Sequence, residues 1–309
     1  MEKKPNLSFG QRVALESLWI ICRGFALLPH WVRYHVLGNF VFVLLCYVLR
    51  YRRRVIMMNL RNSFPDKSEN ELNRICVKSY KNLAEQIIGT LSQAGVSDKT
   101  MIERMKVLNV EQTEQSINGR NGIFMTAHFG SWEACIMMGL VFPTHEIVGV
   151  YHELRNKVMD ELMKRIRRRR NSALVDIKAT MRYFIHNKDK KPLIMGLISD
   201  QNPSIDIYPT THWHKFLHQW SVFYNGAEVL ALKFKLPVYY FSLNRLKAGH
   251  YEGEFIEIYD GVEQVEPSVI MERYVRLLEK DILREPHLWM WSHRRWKHTP
   301  PQELLSQKI

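Results

Sequence analysis

The sequence predicts an α/β protein: a mostly parallel or mixed central sheet flanked by helices, behind a helical N-terminal region. Two observations carry this. Apolar residues recur at helical spacing through about the first hundred residues, from Val13 to Leu91. From about residue 105, short apolar runs typical of strands alternate with helical stretches, the pattern of strand–helix–strand units in one sheet. The expected division is a helical region at 1–104, an α/β domain at 105–298 and a polar tail at 299–309.

Residues 11–28 form the first expected helix, with Val13, Leu15, Leu18, Trp19, Ile21 and Cys22 on one side and Pro29 breaking it. The most apolar run, VLGNFVFVLLCYVL at 36–49, ends abruptly in RYRRR at 50–54. As a helix it covers about 21 Å, short of the ~30 Å hydrocarbon core. It reads either as a buried core helix or as a membrane-docking segment (about 30–49) whose arginines meet lipid headgroups. Ser68 and Glu71 form a capping-box pattern that opens a helix to about 92. Strands are expected at 121–127, 146–152, 172–177, 191–199, 237–243 and 254–260. Helices are expected between them at 131–142, 153–170 and 222–235, and after them at 267–284.

Composition bounds the function. The chain has 309 residues, 46% hydrophobic and 24% charged, and a mean hydropathy of −0.26, which excludes wholesale disorder and a multi-span membrane protein. A formal charge of +13 and a pI near 9.6 favour anionic partners such as acidic lipid, an acidic carrier protein, a phosphorylated substrate or nucleic acid. Cys22, Cys46, Cys76 and Cys135 make no CxxC pair, so a reduced cytosolic setting is expected. No secretory signal peptide is apparent.

The strongest chemical signal is TAHFGSWEAC at 126–135, where a strand runs through a turn into a helix. Sites in α/β sheets gather at the carboxyl ends of strands. With His128 in the turn and Ser131 capping the helix, Glu133 can fold back to orient the imidazole, whose other nitrogen takes a proton from a substrate hydroxyl. The alternative is a surface histidine beside a capping glutamate. The run KRIRRRR at 164–170 reads either as a solvated helix face or as a landing patch for anionic lipid, phosphorylated acceptor or carrier protein. Arg294, Arg295 and Lys297 beside Trp289, Trp291 and Trp296 suit a bilayer interface or buried packing. His212, His214 and His218 have no fixed carboxylate or cysteine beside them in sequence, so no metal site is expected.

The H-x4-E box resembles the hallmark of the glycerolipid acyltransferase superfamily. Taken with its surroundings, the chain is similar to the bacterial lipid A biosynthesis acyltransferases, the late lauroyl/myristoyl transferases, from about residue 10 to 298. The resemblance rests on NLRNSFPD at 59–66, HFGSWE at 128–133, Arg155-Asn156 after a strand with Arg167 beyond it, Ser199-Asp200-Gln201 at a strand end, and PHLWMWSHRRWK at 286–297. The chain departs from the family at Ser131, where an Asn is usual, and after Gln201, where Asn202-Pro203 stands in place of an acidic residue and glycine.

The resemblance implies transfer of a fatty acyl chain from acyl carrier protein or acyl-CoA to a hydroxyl of a lipid A precursor. It implies His128 as general base, Glu133 holding it and Arg155 stabilising the oxyanion. Asp200, Gln201, Arg167 and Ser131 are its candidate substrate-binding residues. No metal or organic cofactor is expected, since a thioester is already activated. The implied location is the cytoplasmic face of the bacterial inner membrane, monotopic or single-pass. Competing readings are transfer to another aminolipid or glycolipid, thioester hydrolysis at the same His/Glu pair, and nucleic-acid binding. The last is disfavoured because no RNP, zinc-finger or basic-leucine pattern occurs.

Overall fold

The computed structural model describes residues 7–203 and 212–305. A helical layer comes first. Helix α1 (Phe9–Leu27) opens on a capping box between Ser8 and Gln11, a signal the sequence reading passed over. The chain then bends by 112° and continues over Val32–Val48. Here π-helical turns at Val32–Leu37 and Leu44–Val48 flank α2 (Gly38–Val43). Among the described residues no single helix is long and apolar enough to cross a bilayer; only the bent pair passes that test together. Arg50 and Arg52 take positive φ and turn the chain into α3 (Arg53–Ser63). Helix α4 (Glu69–Ser92) starts at the expected Ser68–Glu71 capping box, and α5 (Asp98–Arg104) follows.

The second part of the chain is a mixed sheet. Its strands are β1 (Met105–Val107), β2 (Gly122–Thr126), β3 (Glu146–Tyr151), β4 (Ser172–Asp176), β5 (Leu193–Ile198), β8 (Val238–Lys247) and β9 (His250–Tyr259). Their spatial order is β1-β9-β8-β2-β5-β3-β4. Strands β8, β2, β5, β3 and β4 are mutually parallel, while β9 runs antiparallel to β8 and β1 pairs parallel to β9. The chain leaves β2 for β3 and β4, returns to fill the gap with β5, then crosses to the other side of β2 with β8. The central strands are near-continuous apolar runs, as expected of strands covered on both faces: Ile123, Met125, Val148, Ile194, Met195 and Val238 are fully buried.

Helix α6 (Val110–Ile117) lies between β1 and β2, α8 (Lys157–Arg167) between β3 and β4, and α9 (Thr180–Asn187) between β4 and β5. Helices α10 (Gly226–Phe234) and α11 (Val269–Arg284) come later. Four details differ from expectation. The 131–142 helix is a 3-10 helix at Trp132–Met137 followed by a single α turn, α7 (Met138–Val141). The HWHKF and QWSVF segments form a separate hairpin, β6 (His212–Phe216) with β7 (Gln219–Phe223), so the helix expected at 222–235 begins only at Gly226. Strands β8 and β9 are longer than the apolar cores that predicted them. The tail carries a helical turn at Gln302–Leu305.

Candidate active site

Strand register builds the site. Strands β2 and β5 are adjacent and parallel, with Thr126 paired to Ile198. Two residues beyond each partner stand His128 and Asp200, so the offset that aligns the strands also aligns these side chains at the carboxyl end of the sheet. Neighbouring strands lie about 4.8 Å apart, within reach of a direct hydrogen bond. His128 Nδ1 and Asp200 Oδ1 are 2.7 Å apart, and the backbone N–H of His128 donates to Asp200 Oδ2 at 3.0 Å. The imidazole side chain keeps 18% exposure while the carboxylate keeps 3%. The histidine thus looks out from a buried anchor.

The turn that follows is fixed by its neighbours. Gly130 has φ +53°, and a Cβ there would stand 2.6 Å from Leu243 Cδ2, so the turn needs glycine for both backbone and space. The Gly130 N–H donates to the Leu288 carbonyl, and the Met290 N–H donates to the His128 carbonyl, both at 3.0 Å. Trp289 Nε1 donates to Asp200 Oδ2 at 2.8 Å. The chain's late segment therefore clasps both halves of the His–Asp pair. Trp132 packs edge-on against the His128 ring, 5.3 Å between centroids. Burial alone would raise the Asp200 carboxyl. The charge of His128 and the hydrogen bonds from His128 and Trp289 override burial and hold it below the ordinary carboxylate value.

This corrects the expected role of Glu133. Its two oxygens accept a bidentate pair from Arg167, Oε2 from Nε at 2.8 Å and Oε1 from Nη2 at 2.6 Å. The expected carboxylate partner of His128 is supplied by Asp200 from the neighbouring strand. The 3-10 geometry after Ser131 explains the change: Ser131 makes no side-chain cap, and Glu133 lies in the first turn of a helix fastened to α8. Arg167 accordingly acts on the box through Glu133. Gln201 stands on the open side of the ring, with its Nε2 3.2 Å from His128 Nε2. Arg155 is exposed in the loop after β3, with no ion pair among the described residues. Ser131 is half-buried and lines a small cavity with Ala134 and Tyr251.

The basic run at 164–170 is largely engaged within the fold. Lys164 bridges Asp160 and Glu161, Arg165 holds Glu16 and stacks over Trp19, Arg167 holds Glu133, and Arg169 donates to the Gln93 carbonyl. It fastens α8 to α1 and to the catalytic turn. Trp289 and Trp291 are buried, so core packing is their place. His214 faces Glu272 at 2.6 Å, His218 sits in the hairpin turn, and among the described residues no group of three or more ligand side chains could hold a metal ion.

Sequence reasoning missed the layer behind Asp200. Arg295 is 1% exposed, donates from Nη1 to Asn202 Oδ1 at 2.5 Å and lies 4.1 Å over the Phe223 ring. Asn202 in turn donates to the Arg294 carbonyl at 2.7 Å. Burial lowers Arg295 to about 10. A single arginine in HRRW carries no pattern that would mark it as the one turned inward.

Comparison with known proteins identifies what the chain is similar to. A family model described as bacterial lipid A biosynthesis acyltransferase matches residues 2–298. A lipid A biosynthesis acyltransferase of Haemophilus influenzae is 24% identical over 334 residues, covering 99% of this chain and 98% of the relative. A lipid A biosynthesis palmitoleoyltransferase of Escherichia coli is 22% identical over 317 residues, covering 97% and 98%.

Proposed function

The chain belongs to the bacterial lipid A biosynthesis acyltransferase family and is an acyltransferase; on that footing we propose that it carries a fatty acyl chain from an acyl carrier protein or acyl-CoA thioester to a hydroxyl of a lipid A precursor, with His128 as general base held by Asp200. The observation that carries this reading is the 2.7 Å contact between His128 Nδ1 and a buried carboxylate. With the Nδ1 proton shared toward Asp200, Nε2 bears the lone pair. It takes the acceptor's hydroxyl proton as that oxygen attacks the thioester carbonyl. The tetrahedral oxyanion then collapses, the C–S bond breaks, and the imidazolium returns its proton to the leaving thiolate. Arg155, unpaired and always charged, is the cation we assign to the oxyanion. Gln201 yields its place at Nε2 to the acceptor. The thioester is already activated, so the reaction asks for no metal or organic cofactor.

Membrane docking is part of the same reading. On α1 and the segment that follows, Phe9, Ile20, Leu27, Trp31 and Phe40 are each more than 60% exposed. An exposed apolar set of this size marks a lipid or protein contact, and each such side chain contributes about 1.5–3 kcal/mol when fully buried. Arg50, Arg52, Arg54 and Arg294 line a groove nearby, suited to anionic headgroups on the cytoplasmic leaflet. The docked helices lie in the interface rather than across it.

The test is acyl transfer by the purified full chain from an acyl carrier protein thioester to a lipid A precursor, read by mass spectrometry. His128→Ala should lower transfer by about 10³ or more while keeping its circular dichroism and melting temperature. A folded His128→Ala protein with undiminished transfer would refute the assignment.

A further inference from the structure

We propose that His30, Arg33 and Arg104, at the joint between the N-terminal helical layer and the turn of the β8–β9 hairpin, form a binding site for a phosphate-type anion. The site includes neither His128 nor Asp200, although Arg104 lines the same small cavity as Ser131, and the proposal does not depend on the acyl-transfer reading.

Arg33 carries the argument. It is 4% exposed, yet its Nε and Nη1 have no hydrogen-bond partner among the described residues. His30 Nε2 is buried and unpartnered in the same way. Arg104, half-buried at the C-terminal end of α5, makes no ion pair among the described residues either. The nearby carboxylate, Glu85, is already spent on a bidentate pair with Arg245 at 2.9 and 2.7 Å. A buried guanidinium without a counter-charge is among the costliest arrangements a fold can hold. Here that guanidinium, Arg33, lies beside the half-buried Arg104, which makes no ion pair among the described residues, and the unpartnered His30 Nε2, a cluster suited to something negative.

The surroundings hold these groups in place. The His30 ring stacks on Tyr34 at 4.5 Å and tilts against His250 at 5.1 Å. At the hairpin turn, Gly249 has φ +67° and lies so close to Tyr34 that a Cβ would stand 2.5 Å from its ring. Arg104 and Tyr34 line a cavity of about 40 Å³. Donors arriving from two elements, the segment after the N-terminal bend and α5, can reach more than one oxygen of a phosphate, and the planar fork of arginine fits phosphate bidentately. The phosphate can arrive free in solution or on a lipid: Leu27 and Trp31, at 82% and 61% exposure, stand at the same bend and would carry a lipid headgroup to it.

The test uses the full chain in neutral detergent. Thermal unfolding is followed with inorganic phosphate against chloride at matched ionic strength. Binding is measured to phosphatidylcholine vesicles with and without phosphatidylglycerol. If the site takes soluble phosphate, the wild type melts higher in phosphate and Arg33→Met and Arg104→Met do not. If it takes a lipid headgroup, phosphate has no effect, but the phosphatidylglycerol-dependent gain in vesicle binding falls about tenfold in both variants. Arg33→Met removes a buried unpaired charge, so without added anion it should melt no lower than the wild type. Should it fail to fold, half-buried Arg104→Gln decides the matter alone. Variants that respond like the wild type in both assays, or a wild type that responds in neither, overturn the proposal.

Discussion

A histidine base works only in the correct tautomer, and in the mechanism proposed for His128 its 2.7 Å contact with Asp200 is what would fix it. Asp200→Asn keeps the shape but can present an N–H to Nδ1, holding the proton on the wrong nitrogen. Transfer should fall by about 10²–10⁴ with little change in melting temperature, checked by kcat beside a thermal melt. Glu133 and Arg167 act as a unit one step away. Single changes to Gln at either should each lower activity, and the double variant should cost little more than one, since each single change already breaks the pair. A fully additive double-mutant cycle would separate their roles. His293 offers a pH test. Burial, opposed by Asp200 but reinforced by Arg295, pulls its imidazole from 6.5 to about 4. Below about pH 6.5 the unfolded chain takes up a proton that the native state refuses until about 4. Stability is therefore full above 6.5 and declines as pH falls toward 4, by on the order of 2 kcal/mol. His293→Gln should flatten that limb in chemical denaturation measured at neutral and mildly acid pH.

At the scale of elements, Ser68 is a clear case. Its side chain accepts from the Glu71 N–H while Glu71 reaches back to the Ser68 N–H. Ser68→Ala should cost about 1 kcal/mol of stability in urea unfolding. That cap, the strands at 146–151 and 193–198 and the long amphipathic α11 were legible because their signals are local: a box of four residues, a β-rich run, a helical stripe. The β6–β7 hairpin was not. Its two-residue turn is Leu217-His218, both at positive φ, 48° and 62°, where Asn-Gly would have been the recognisable signal. Tertiary structure sustains it, with the Leu217 N–H donating to Glu279 on α11 at 2.6 Å. The same distinction runs through the site. His128 could be found from its strand end, but its partner could not be chosen between residues 133 and 200 without knowing that β5 inserts beside β2. The basic run looked like a free face because its partners, Glu16 on α1 and Glu133 in the catalytic turn, are distant in sequence.

Across the whole molecule, the bent N-terminal pair carries large exposed apolar side chains and the net charge is +13. Trp31→Ser combined with Phe40→Ser should weaken partition onto anionic vesicles by roughly tenfold or more while leaving the melting temperature unchanged, as the two rings are 61% and 66% exposed. Co-sedimentation measures it, and unaltered partition would remove these side chains from the membrane contact. The clasp on the His–Asp pair has a different consequence. The histidine belongs to the middle of the polypeptide, yet Met290 ties it down, Trp289 holds its carboxylate and Leu288 holds the turn at Gly130. A nascent chain still on the ribosome with those residues unmade has no finished centre. An interrupted translation product therefore carries His128 without the clasp that holds it and Asp200 in place.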